Sequence, residues 1–166
     1  MKLRADATAF SETDRMSQGR FLEDLTVGLT ERASRTVTQA DVEAFAAVSG
    51  DHNPVHLDEA YARRTPFRGR IAHGMLTAAF VSALLGERLP GPGAIYVSQS
   101  VRFLRPVKPG DTVETIAEVT AVDEKTGHVA LSTWCEVEGR RVLEGEAVLI
   151  APRKRRDRAA RAEAEG

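Results

Sequence analysis

The chain has 166 residues, 42% of them apolar and 28% charged, with 13 Gly, 7 Pro and one Cys, which implies one globular domain rather than a repeat array or a disordered coil. Its 23 Lys and Arg stand against 24 Asp and Glu, so no broad basic surface for nucleic acid is expected. Lone Cys135 excludes an internal disulfide and a cysteine-built zinc site, and Met75 to Leu85, the most apolar stretch, is about half the roughly 18 residues of a membrane span. With no charged-then-apolar leader at the start, a cytoplasmic protein without a membrane span is expected.

Residues 1–20 mix charge with Ser, Thr and small residues and lack periodicity, which predicts a flexible N-terminal arm outside the fold. The body is expected over residues 21–152. A strand is predicted over Glu31 to Val37. Thr38 to Ser49 follows with an N-cap Thr, Asp41 three residues on, and Val42, Phe45, Ala46 and Val48 at helical spacing, which predicts an amphipathic helix stopped by Gly50. Pro54 lacks an N–H and restricts Asn53, so Asp51 to His56 reads as an irregular loop. A short helix is predicted over Asp58 to Arg64.

From Gly74 to Leu89 nearly every residue is apolar or small, which implies a helix surrounded by protein on all sides. The pattern then changes to period two over Ile95 to Phe103, Thr112 to Val122, His128 to Val137 and Arg141 to Ile150. The connectors Pro106 to Asp111, Asp123 to Gly127 and Glu138 to Arg140 have hairpin lengths and turn residues. The outcome is an α+β domain: a mainly antiparallel sheet with one long apolar helix laid across it. Residues 153–166 are charge and Ala without apolar partners, which predicts a disordered tail.

The loop Ser49-Gly50-Asp51-His52-Asn53-Pro54-Val55-His56 is followed by Ala72-His73-Gly74-Met75 at the start of the apolar helix. These two motifs, together with Tyr96 to Gly110, resemble the MaoC-like, (R)-specific enoyl-CoA hydratase family, over roughly Phe21 to Ile150. The resemblance implies a hot-dog fold, in which an antiparallel sheet wraps one helix, and a homodimer of such units. It places a catalytic pair at Asp51 and His56, the backbone amide that holds the thioester oxygen at Gly74, and a pocket serine at Ser82. Asn53 and Met75, within the same motifs, are read with Ser82 as substrate-binding residues. The substrate it implies is an acyl-CoA or acyl-carrier-protein thioester, with no cofactor and no metal.

The residue chemistry agrees with that assignment. Adding water across an enoyl thioester needs one group to take a proton from water and one to give a proton to the α-carbon, and the expectation is that Asp51 does the first and His56 the second. Charge develops on the thioester oxygen, where the unpaired amides of a helix start are favourable donors and a residue without Cβ permits close approach. Against this, Asp51 alone reads as ordinary turn material and His56 as a satisfied core histidine. His73 reads as structural, orienting the loop or the helix start. His52 and His56 have the spacing of a helical metal pair, but Pro54 between them removes the helix. Arg102 and Arg105 read as an exposed strand face. The competing functions are a hot-dog acyl-CoA thioesterase, for which the long helix offers only the distant carboxylate of Glu87, and a non-catalytic acyl-CoA-binding module.

Overall fold

The computed structural model describes residues 19–154. The expected N-terminal arm and C-terminal tail therefore lie outside the described residues, except at their inner ends. Those inner ends join the body. Arg20 N–H donates to Pro90 O at 2.6 Å and its guanidinium pairs with the Glu31 carboxylate, while Lys154 N–H donates to Glu23 Oε2 at 3.1 Å. The two boundaries are also tied to each other, since Leu22 N–H donates to Pro152 O at 2.7 Å.

All strand pairs are antiparallel and form one six-stranded sheet. In chain order the strands are β1 (Thr30–Thr36), β2 (Ile95–Gln99), β3 (Arg102–Phe103), β4 (Thr112–Val122), β5 (His128–Val137) and β6 (Arg140–Ile150). Their order across the sheet is β1-β4-β5-β6-β2, with β3 also paired to β6. The β5–β6 hairpin turns on Glu138 and Gly139, both with positive φ (50° and 72°), the conformation that a two-residue hairpin demands.

Two sequence expectations for the sheet need correcting. The single strand expected over Ile95 to Phe103 is broken at Ser100 and Val101, because the backbone there presses against Gly145 of β6, where a Cβ would run into Ser100 O. The segment Pro106 to Asp111 is not a hairpin, since β3 lies on β6 whereas β4 lies between β1 and β5. It is a crossing, pinned on the way: Val107 is buried and its carbonyl accepts the Ala72 N–H at 2.7 Å, and Gly110 N–H donates to Val37 O at 2.7 Å.

The helices are α1 (Gln39–Ser49), α2 (Pro54–Leu57), α3 (Glu59–Ala62) and α4 (Gly74–Glu87), preceded by a 3-10 turn at Leu22–Asp24. The α1 start is a reciprocal cap, with Asp41 N–H donating to Thr38 Oγ1 (3.1 Å) and Thr38 N–H to Asp41 Oδ2 (2.8 Å). Gly50, at φ +77°, ends it. The stretch from Asp51 to His56 is not wholly irregular: Pro54 opens α2, and Asn53 Oδ1 accepts the Val55 N–H at 3.2 Å as its cap. The missing N–H of proline costs nothing at the first position of a helix, where that group has no partner anyway.

Helix α4 lies on β4 and β5. Its Leu76, Val81, Leu84 and Leu85 are buried against Val113, Ala117, Val129, Leu131 and Leu143 of the sheet. Burying each such side chain contributes about 1.5–3 kcal/mol. The opposite face, with Met75, Ala79, Ser82, Ala83 and Gly86, is exposed in the single chain. The expected enclosure on all sides therefore holds for one side of the helix. No helix among the described residues is long and apolar enough to cross a membrane.

Candidate active site

Asp51 follows the α1 stop and His56 sits in the single turn of α2, so five residues carry the chain from one to the other around a tight corner. The corner is held from within. Asp51 N–H donates to Ser49 Oγ at 3.2 Å, and Asp51 Oδ1 accepts the Asn53 N–H at 3.1 Å. His56 is 8% exposed, and its Nδ1 lies 2.8 Å from Ile71 O. A carbonyl oxygen only accepts, so Nδ1 carries the proton and the neutral ring presents Nε2 as a bare lone pair. Burial pulls the His56 pKa below its ordinary 6.5, partly opposed by the Ile71 carbonyl and by the Asp51 charge, and reinforced by His73.

His73, the residue before α4, lies behind this pair. It is 2% exposed, its Nε2–H donates to the Asp51 main-chain oxygen at 2.9 Å, and its ring stacks on that of His56 with centroids 3.8 Å apart and planes 32° from parallel. Gly74 begins the helix. Leu76 N–H and Thr77 N–H turn back to His73 O, at 3.1 and 3.4 Å, while the Gly74 N–H has no protein acceptor among the described residues. A Cβ at Gly74 would come within 2.7 Å of the half-exposed Phe103 ring, so a larger residue here would push that ring aside.

These groups meet in one cavity of about 750 Å³. Asp51, His56, His73 and Gly74 line one part of it, and Phe45, Phe67, Phe103 and Leu143 are among the apolar side chains that make the rest. One titratable, polar corner thus opens onto a predominantly apolar hollow, the usual form of a small-molecule site.

A model of the MaoC like domain matches residues 25–137. The chain belongs to the MaoC-like family. It is 48% identical over 134 residues to a 3-hydroxybutyryl-CoA dehydratase of Methylorubrum extorquens, covering 81% of this chain and 85% of that one. It is 47% identical over 132 residues to an (R)-specific enoyl-CoA hydratase of Rhodospirillum rubrum, covering 80% and 92%. Among solved structures, the (R)-hydratase of Aeromonas caviae, involved in PHA biosynthesis, superposes with a TM-score of 0.77 at 45% identity, over 78% of this chain and 99% of that one. The fold of this MaoC-like domain is accordingly the hot dog, an antiparallel sheet curled on one long helix.

Within the MaoC-like domain, Asp51, His56, Gly74 and Met75 line the same cavity, and two expected positions do not. Ser82 is two turns along α4, about 12 Å from Gly74, on the exposed face and outside the cavity of the single chain. Asn53 is exposed, its side chain serves as the α2 cap, and it is not among the residues that line the cavity. Arg105 is exposed, as expected, and also lines the cavity, with Nη1 donating to Arg141 O at 2.5 Å. His52 turns away, its Nδ1 3.0 Å from Gly50 O.

Asp51, His56 and His73 each present a ligand-type atom within 4.8 Å of the others, which makes them the group of the domain to weigh as a metal site. Each imidazole already spends one nitrogen on a main-chain carbonyl. The rings are tilted by 32° with centroids 3.8 Å apart, and the remaining nitrogen of His73, Nδ1, is buried. Sequence patterns did not single out Phe45 or Phe103 as cavity walls, because an aromatic residue on an amphipathic helix or a strand carries no mark that distinguishes wall from core.

Proposed function

We propose that the protein is an (R)-specific enoyl-CoA hydratase, working reversibly as a 3-hydroxyacyl-CoA dehydratase, with Asp51 and His56 as its catalytic pair. The observation that carries this reading is the meeting of a carboxylate and a neutral imidazole at the polar end of an apolar cavity, beside an unpaired helix-start amide. The names and identities of the relatives support the same reaction class.

The geometry fits the reaction as follows. A separation within 4.8 Å leaves room for one water between the Asp51 carboxylate and the His56 ring, hydrogen-bonded to both. As the water oxygen bonds to the β-carbon of a trans-2-enoyl thioester, His56 Nε2 takes its proton, and the π electrons shift to the thioester oxygen. Gly74 N–H donates to that oxygen, where losing one such donor typically costs about 3 kcal/mol. The imidazolium, balanced by the Asp51 carboxylate, then gives the proton to the α-carbon and the carbonyl re-forms. This revises the division of labour expected from sequence: the resting His56 ring, neutral and bare at Nε2, must take a proton before it can give one, and Asp51 orients and balances. Hydration changes no oxidation state, so these side chains suffice and neither metal nor redox cofactor is invoked.

A hot-dog thioesterase that carried its carboxylate on the long helix would have to use the exposed Glu87, about 20 Å along α4 from Gly74. The finer parts of the reading are a homodimer, an acyl-CoA substrate and a cytoplasmic location. The dimer is supported by the exposed edge strand β2 and by the open, small-residue face of α4. The test is hydration of crotonyl-CoA, followed as loss of its conjugated ultraviolet absorbance with the stereochemistry of the product checked. Asp51→Asn and His56→Gln should each lower kcat by about 10²–10⁴-fold with the melting temperature little changed. Release of free thiol would point to hydrolysis instead, and binding without any change in absorbance to a carrier module.

A further inference from the structure

His73 plays no part in the proton transfers above, yet it is the residue that touches both members of the pair. Its Nε2–H holds the Asp51 main-chain oxygen at 2.9 Å, across 22 residues of chain, and its ring covers the His56 ring at a centroid distance of 3.8 Å. Phe45 also packs against the His73 ring, with centroids 5.0 Å apart and planes tilted by 52°. His73 is also the residue immediately before Gly74, so the same side chain is rooted at the amide assigned to the thioester oxygen.

The chemistry of this contact is more particular than packing requires. With Nε2–H given to a carbonyl, the neutral ring leaves Nδ1 as an acceptor, and that atom is buried without a partner. A buried, unpaired acceptor is unfavourable. An amide side chain could hold the Asp51 carbonyl without it, and a phenyl ring could cover His56 without it. An imidazole is the side chain that performs both tasks at once, which accounts for its presence despite the orphaned nitrogen.

We infer that His73 is a positioning residue: by bonding the Asp51 main chain and stacking on His56 it fixes the carboxylate and the imidazole relative to each other and to the Gly74 amide. This rests on the assignment of Asp51 and His56 as the catalytic pair. A displacement of about 1 Å between reacting groups is enough to cost on the order of 10²-fold in rate, so the consequence falls on kcat rather than on substrate binding.

Two substitutions divide the contact into its halves. His73→Gln keeps an N–H that can reach the Asp51 carbonyl and loses the stack; His73→Phe keeps the stack and loses the N–H. Each is expected to lower kcat for crotonyl-CoA by about 10–100-fold with KM within about 3-fold. In the His56→Gln protein His73→Gln should have little further effect, and in the Asp51→Asn protein His73→Phe likewise, because a residue that acts through another contributes nothing once the other is gone. The second readout is independent of turnover: nitrogen NMR of the His56 ring, whose resonances should move in His73→Gln, where the stacked ring is lost, and stay in place in His73→Phe, where a ring is kept. Should His73→Phe not fold, His73→Gln is the less disruptive variant and is read by its kcat loss and its non-additivity. Unchanged kcat in a folded variant, losses that multiply fully in these double variants, or His56 ring resonances unmoved by His73→Gln would each overturn the inference. A wild-type protein inert towards crotonyl-CoA but showing the NMR shift would overturn the hydratase reading and leave the positioning role standing.

Discussion

His56 binds its proton less readily in the folded protein than in the unfolded chain, chiefly because it is buried. The sign of the linkage follows. As pH falls below the ordinary value of 6.5, the unfolded chain takes up a proton that the native ring resists, so the unfolded form is favoured and stability declines through the window between 6.5 and the lower native midpoint. Above 6.5 the full contribution is present. Thermal melts across this acidic range should therefore show a fall that is shallower in His56→Gln, and kcat/KM should hold down past pH 6.5 before its acid limb begins, since the neutral ring is the form that accepts the proton. An acid limb above 6.5 would contradict the environment described for this side chain. Of the site residues, Asp51, His56 and Gly74 were legible because their motifs are local. Their partners were legible only in part: His73 was read as orienting the loop or the helix start, but neither its bond to Asp51, 22 residues away, nor the bond of His56 to Ile71, 15 residues away, leaves a local pattern.

Helix α1 delivers Asp51 to the cavity, and its start rests on one reciprocal cap. The Asp41 carboxyl is held below the ordinary carboxylate range, first by the Thr38 main-chain N–H and then by the Thr38 hydroxyl, with Arg35 adding its charge. Asp41→Ala should cost about 1 kcal/mol of stability, the usual size of a lost cap, readable as a lower denaturant midpoint at an unchanged slope. Capping signals and turn residues span three or four positions, which is why α1, Gly50 and the Glu138-Gly139 turn could be read from sequence. Pro54 shows the limit of that reading. The same residue that ends one helix starts the next, and which of the two it does depends on the cap that Asn53 supplies. The break between β2 and β3 was hidden for a different reason: its cause, Gly145, is on a strand that arrives more than forty residues later.

At the scale of the whole molecule, the sheet has an unpartnered edge at β2, where Ile95 is 62% and Val97 49% exposed. An exposed apolar edge strand is a template for pairing with another chain, and Met75, Phe103 and Leu104 add further exposed apolar surface. If β2 joins two copies, Val97→Lys should convert a particle of twice the chain mass into a monomer, measured by light scattering after size exclusion. An unchanged mass would place the interface elsewhere. Period-two patterning announced the strands but not their neighbours, because alternation records which face is buried and says nothing about which strand lies alongside. The order β1-β4-β5-β6-β2 and the crossing at Pro106 to Asp111 thus became visible only in three dimensions.

The final strand, β6, is hydrogen-bonded to β5 on one side and to β2 and β3 on the other, and its Val142 and Leu143 form part of the cavity wall. During synthesis the acid–base corner is translated early, but the hollow it faces lacks a side until β6 emerges. A nascent chain stopped before Arg140 would carry every polar group of the chemistry and still have no enclosed place to hold an acyl group.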